Sequence, residues 1–285
     1  MADGNSIINL GDLAKPATVL IEKVCSAVGV LYEPRRIKRK AEAEAEAEKI
    51  KALAGLELSE IQQRGIDRFV QQEARKQKNI ESITAQAARQ LTPDANTDAL
   101  DEDWIAHFFD RCDKVSDKNM QSLWSRLLAG EASTPGTYSK RTVDFVASMD
   151  KKDAELFTRF CQFTWTVAGP VPLVFDSKDE IYRKSGIDFS KLKHLDAIGL
   201  ISFEAVSGYK INNDAKYLQI HYFGQPTLFE CKNESANTVN IGQVIFTQAG
   251  RELVNVCGAQ PNQEFREYAL KKFSEQGLSA LSLNT

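Results

Sequence analysis

Apolar side chains at Ala17, Leu20, Ile21, Val24, Val28 and Leu31 recur in the three- and four-residue steps that line one face of a helix over residues 13–33. Asp12 stands where a cap belongs and Pro16 suits a first turn. Pro34 biases Glu33 out of the helical region, so the helix is predicted to stop there. From Arg35 to Arg89 the chain is rich in strong helix formers, including the alternating run Ala41–Glu48, and no proline intervenes before Pro93. One long helix is expected here, or two broken near Gly55 or Gly65. Unbroken, it would extend about 80 Å. Its apolar positions, Ile50, Leu53, Ile61, Phe69, Ile80, Ile83, Ala87 and Leu91, form a stripe too sparse for an internal core; it suits a surface completed by neighbouring copies, or a solvent-crossing stalk stabilised by its own i,i+4 charge pairs.

Leu91–Asp101 reads as a loop from its Pro, Asn and Asp content. Trp104, Ile105, Phe108, Phe109, Val115, Met120, Leu123, Trp124, Leu127 and Leu128 then follow at helical spacing. After the breaker Gly130–Tyr138, Ser139 is placed to cap a helix bearing Val143, Phe145, Val146 and Met149. Asp150 or Asp153 is placed to cap another that carries Leu156, Phe157, Phe160 and Phe163 as far as Trp165. The aromatic mass gathered here marks the main core.

Beyond Gly169–Pro172 the period changes. Two short helices, 179–185 and 189–198, precede strand-like runs at 200–203, 218–223, 227–231 and 239–246, with turns at Gly208 and 224–226. Thr247 is placed to cap a helix over 248–256, and Glu264–Phe273 forms a last one. Helix, helix, strand, paired strands and returning helix is the order of a winged helix with an enlarged wing. The predicted architecture is therefore mainly α: an N-terminal amphipathic helix (1–34), a long charged helix (35–92), a helical core (93–172), a winged-helix-like domain with a small antiparallel sheet (173–258), and a C-terminal helix and tail (259–285).

Composition sharpens this picture in two ways. The 285 residues carry 36 basic and 39 acidic side chains, a near-neutral balance that hides opposed blocks: thirteen basic and nine acidic over 35–89, eight and thirteen over 94–155. Five cysteines, odd in number and widely spaced, match neither a disulfide framework nor a zinc knuckle, and reduced cytoplasmic thiols are expected. There is no basic-then-apolar leader and no apolar run long enough to span a bilayer, so neither a signal peptide nor a spanning helix is expected.

Catalytic motifs are missing from the sequence. His107, His194 and His221 stand in no metal spacing, and there is no phosphate loop, dinucleotide fingerprint or nucleophile elbow. Neither enzymatic activity nor a cofactor or metal is expected. The acidic set Asp101, Glu102, Asp103, Asp110 and Asp113 reads as helix capping and a solvated face. Two basic groups are candidates for nucleic acid or an anionic surface: the run Arg35, Arg36, Lys38, Arg39 and Lys40, and the outward positions Ser190, Lys191, Lys193 and His194 of the second winged-helix helix. With ten acidic and nine basic residues between 176 and 258, a packing or protein-contact role for that helix is favoured over DNA reading. Leu20, Ile21, Val24, Leu31, Ile50, Leu53, Ile61 and Phe69 are the positions expected to meet another copy or a protein partner.

Three blocks carry resemblances. Lys15-Pro16-Ala17 with Leu20–Lys23, Tyr32–Arg36 and the Lys40–Lys51 run resembles a bacterial family of unknown function, number 2806 in the domain-of-unknown-function series. Gln121–Glu131 followed by Pro135–Thr142 resembles the same family and is similar to the central block of abortive-infection alpha proteins. Ile198–Ile201 with Phe246–Leu253 resembles winged-helix regulators. These resemblances imply a helical bacterial protein concerned with defence against phage, with no activity or functional residue to carry over. The function expected is that of a non-enzymatic, self-associating interaction protein. The alternatives are a winged-helix DNA-binding regulator dimerised by its N-terminal helices and a peripheral membrane effector.

Overall fold

Pro16 enters the first turn of helix α1 (Lys15–Val28), and Gly29 closes it with φ 69°, its N–H donating to the Cys25 carbonyl at 3.1 Å. The helix thus stops short of Pro34, because a left-handed glycine terminates it first. The computed structural model describes residues 14–29 and 60–281. Asp12, Leu31, the basic run 35–40, Ile50, Leu53 and Gly55 lie outside the described residues.

Described residues fall into two compact units, 1–147 and 148–285, built of helices and small antiparallel sheets. In the first, α2 (Glu60–Ala88) runs unbroken through Gly65. A 3₁₀ turn (Thr97–Ala99) leads to α3 (Glu102–Cys112), α4 (Lys118–Ser133) and α5 (Lys140–Ser148). Asp101 and Asp117 cap α3 and α4, accepting from the N–H of Asp103 and from those of Asn119 and Met120. Phe108 is the centre of the core, stacking on Trp104 and meeting Trp124 edge-on, each with centroids 5.1 Å apart.

The second unit opens with α6 (Lys151–Cys161), which ends four residues before Trp165. Trp165 belongs instead to β1 (Thr164–Thr166), paired antiparallel with β2 (Pro170–Pro172). Phe160 and Phe163 continue a helical period by coincidence, and the Thr-Trp-Thr alternation decides the outcome. Both strands and α6 pack in this unit, whereas the sequence pattern groups them with the helical core. Then come α7 (Glu180–Lys184), α8 (Phe189–Ala197), β3 (Ile201–Phe203), β4 (Tyr209–Asn213), β5 (Tyr217–Tyr222), β6 (Gln225–Glu230), β7 (Asn237–Gly242), β8 (Val244–Phe246), α9 (Gln248–Leu253), α10 (Gln263–Glu275) and β9 (Ser279–Leu281).

One sheet has the order β2-β1-β5-β6-β9; β3 pairs with β8, and β4 with β7. The run 239–246, expected as one strand, is divided at Gly242. Its φ is 97°, and a Cβ there would lie 2.1 Å from the Val174 carbonyl oxygen, so only glycine permits the crossing. Thr247 caps α9 as expected, accepting from the Gly250 N–H at 3.2 Å. The core is aromatic: Phe163 meets Phe265 at 4.7 Å and Tyr182 at 5.0 Å, and Trp165 lies 5.0 Å from Tyr222.

Candidate functional site

Several of the residues that give 121–142 its resemblances are internal fittings, although Gly136, Thr137, Lys140 and Arg141 are exposed. Gln121 is 1% exposed and fully satisfied. Its amide donates to Asn79 Oδ1 at 3.1 Å and the Val115 carbonyl at 2.8 Å, and its oxygen accepts from Ser82 at 3.0 Å and Lys118 at 3.2 Å. Ser125 accepts from Gln90 at 3.1 Å, extending a polar seam between α2 and α4. Glu131, also buried, accepts the backbone N–H groups of Gly136 at 2.6 Å and Tyr138 at 2.7 Å. The Tyr138 carbonyl in turn accepts from the Trp104 indole at 2.8 Å. The carboxylate folds the loop 134–138 back onto α4 and is enclosed by backbone donors rather than open to a substrate.

Leu20, Ile21 and Val24, expected to face a partner, are buried inside the first unit at 0–2% exposure. Ala17 and Ile21 meet Ala85 and Ala88 at the end of α2, with Cys25 and Leu91 beside them. Lys23 reaches the Leu100 carbonyl at 2.7 Å and Ser26 the Glu102 carboxylate at 3.2 Å. The partner surface for this helix face is the chain's own, supplied by small alanines and by α3.

Ile61 and Phe69 sit as expected on an open surface. From Glu60 to Arg75, α2 is solvent-facing nearly all round; Lys76 pairs with Asp113 at 3.7 Å, and from Asn79 the helix is buried in its unit. Ile61 is 71% exposed and Phe69 62%; Ile66 and Val70, which the apolar spacing does not single out, are also exposed. Positions 61, 65, 66, 69 and 70 fall on one half of the helix surface. Arg64, Asp67 and Arg68 turn toward the other half. Gly65 lies inside the apolar half, and among the described residues nothing comes within 4 Å of where its Cβ would be.

In the second unit Ser190, Lys191, Lys193 and His194 all lie on the exposed side of α8, while Leu192 and Leu195 face inward. Two of the cationic candidates are engaged by acids: Lys193 pairs with Asp196 at 2.8 Å, and His194 meets Asp153 at 2.7 Å. Phe189 and Val206 are exposed large apolar residues of this unit that sequence reasoning misses. Spacing carries no signal for them: Phe189 opens α8, and Val206 lies in the turn between β3 and β4.

Other chemistry is sparse. Cys112, Cys161, Cys231 and Cys257 are buried and outside any disulfide, and burial pushes the Cys112 and Cys161 thiols well above the ordinary thiol range, which makes them poor nucleophiles. Cys161 lies in a cleft of about 350 Å³ with Thr164, Phe223 and Asn255, where no titratable groups converge. Among the described residues no group of His, Cys, Asp or Glu could hold a metal ion, and no helix is long and apolar enough to cross a membrane.

The sequence model of a family described as "Protein of unknown function (DUF2806)" matches residues 63–270. No curated protein and no solved structure matches the chain.

Proposed function

The chain belongs to the DUF2806 family of proteins of unknown function, and we propose that it is a non-enzymatic, cytoplasmic interaction protein that works by self-association and needs no cofactor. The observation that carries this reading is the free stretch of α2, which holds Ile61, Ile66, Phe69 and Val70 in water. A helix exposed all round gains nothing from tertiary packing and is marginal alone at this length. Contiguous apolar surface of this kind marks an association site. On the similarity of Gln121–Glu131 to abortive-infection alpha proteins, the setting we propose is bacterial defence against phage. Multi-angle light scattering across concentrations tests the association: Phe69→Glu is expected to shift the wild-type oligomer to monomer while both compact units stay folded.

A DNA-binding regulator is the second reading. It is favoured by the order of α7, α8, β3 and β8 with α9 returning, which suits a winged helix with β4–β7 as an enlarged wing. Against DNA stand the Lys193–Asp196 and His194–Asp153 contacts, which engage two of the three candidate side chains on α8, and the apolar Phe189 beside them. We expect no submicromolar duplex binding at physiological salt. Duplex binding that Lys191→Ala with Lys193→Ala weakens, with a salt slope lower by about 0.9 for each phosphate no longer neutralised, would reverse this ranking. The membrane reading loses its inserting face, since Leu20, Ile21 and Val24 are already buried in protein.

A further inference from the structure

We infer that Cys161 and Cys257 are an oxidation-responsive pair that closes to a disulfide and staples α6 to the chain leaving α9. The inference concerns the second unit alone and stands apart from the self-association proposed above.

Aromatic packing brings these two cysteines, distant in sequence, to one place. Phe157 and Phe160 on α6 meet Phe246 edge-on, with centroids 6.0 and 5.9 Å apart. Phe246 ends β8 immediately before Thr247, the cap of α9, so the same contacts set α9 beside α6. One turn before Cys161, the Thr158 hydroxyl donates to the Cys257 carbonyl at 3.1 Å and fixes how the two segments align. Cys257 is held in turn through its N–H, which donates to the Leu253 carbonyl at 3.0 Å, and through its thiol, which donates to the Val254 carbonyl at 3.2 Å. So placed, the side chains of Cys161 and Cys257 are in direct thiol–thiol contact. Cys231, the remaining cysteine of this unit, meets Asn213 instead.

The pair also has a route to solvent. Cys161 lines the cleft of about 350 Å³, and Val254, Asn255, Gly258 and Ala259, which flank Cys257 in sequence, line it too. That space admits a small neutral oxidant such as hydrogen peroxide. Oxygen transfer to the Cys161 sulfur breaks the O–O bond, forms an S–O bond and releases one water, leaving a sulfenic acid. The Cys257 sulfur then attacks the Cys161 sulfur. An S–S bond forms, the S–O bond breaks, and the hydroxyl leaves with the Cys257 proton as a second water. Two thiols have lost two electrons, and one peroxide has become two waters. Burial, and then the contact with Cys257, hold the Cys161 thiol well above its ordinary range, so the first step is slow. The second needs no encounter, because the sulfurs are already adjacent. In a reducing compartment the pair therefore stays as thiols until an oxidant persists. The disulfide encloses everything from β1 to α9 in one loop, and closing so long a loop stabilises the folded unit by restricting the unfolded chain.

Full-length protein exposed to hydrogen peroxide for several hours, alkylated in denaturant and digested with trypsin without reductant tests the pair. The expected product joins peptides 160–178 and 252–266, each of which holds one cysteine, and dithiothreitol separates them. The thermal midpoint reported by Trp165 should rise by at least about 5 °C on oxidation and return with dithiothreitol. Cys257→Ala, which keeps a small apolar side chain in that buried position, should abolish both effects and leave Cys161 as a sulfenic acid that dimedone captures. Wild-type protein in which both thiols are still alkylated, in which Cys161 has passed to a sulfinic acid, or in which either cysteine is joined to a different one would overturn the pair. A disulfide that leaves the midpoint unmoved would overturn the staple.

Discussion

Leu20→Ala removes three heavy atoms from a side chain with no exposed surface, in a helix held to the end of α2 and to α3. Truncations of this kind cost about 2–5 kcal/mol depending on how far the site collapses. The surroundings here resist collapse, since Ala17 and Ile21 are already fixed against Ala85 and Ala88 and Lys23 is tied to the Leu100 carbonyl. A loss of about 3 kcal/mol is therefore expected. With a urea slope of about 2 kcal/mol per molar, the unfolding midpoint of the first unit should fall by about 1.5 M. Two of the three tryptophans, Trp104 and Trp124, belong to that unit and report its transition, while Trp165 reports the second. Glu22→Ala on the exposed side of α1 is the control, with a change under about 0.5 kcal/mol. Because Leu20 is covered from within, the loss should be the same at about one and about fifty micromolar protein. A midpoint unchanged by Leu20→Ala, or a loss that disappears at high concentration, would refute the intramolecular packing of α1.

Gly130→Ala should destabilise by about 1–2 kcal/mol in thermal unfolding, although alanine is the better helix former. The new Cβ would lie 2.7 Å from the Tyr138 ring, and Tyr138 is anchored at both its N–H and its carbonyl. Asp144 offers a pH test. Partial burial pushes its carboxyl up, but Arg111 at 2.7 Å and His107 at 3.0 Å outweigh that and hold it below the ordinary carboxylate value. A depressed folded value means stability present at neutral pH and lost as pH falls through it, so Asp144→Asn should lower the midpoint at about pH 7 and leave it unchanged near about pH 2. The effect is small, because the pair is about half exposed.

Local chemistry makes much of this fold readable. Asp101, Ser139 and Thr247 are caps whose side chains accept the backbone bonds that their positions suggest, from Asp103, Thr142 and Gly250. The Trp104–Phe109 and Leu123–Leu128 spacings mark true helices. What stays hidden depends on contacts between distant segments. Ala85 and Ala88 carry little apolar signal, yet they are what Ala17 and Ile21 need, so a stripe that looks too sparse to be a core is one along its second half. Gly242 looks ordinary in sequence and breaks a strand because of the Val174 backbone, 68 residues earlier. Trp165 continues a helical period into what is a strand. At the candidate surface Ile61 and Phe69 are legible from spacing, while Ile66 and Val70 become visible only once the free length of α2 is known.

The most direct test of self-association through α2 is the solution mass of wild type and Phe69→Glu, measured from about one to about one hundred micromolar at physiological salt. Wild type is predicted to rise from 31.8 kDa toward at least twice that value, while the variant, still folded in both units, stays at the mass of one chain. Identical mass curves for the two proteins, whether both monomeric or both associated, would contradict it.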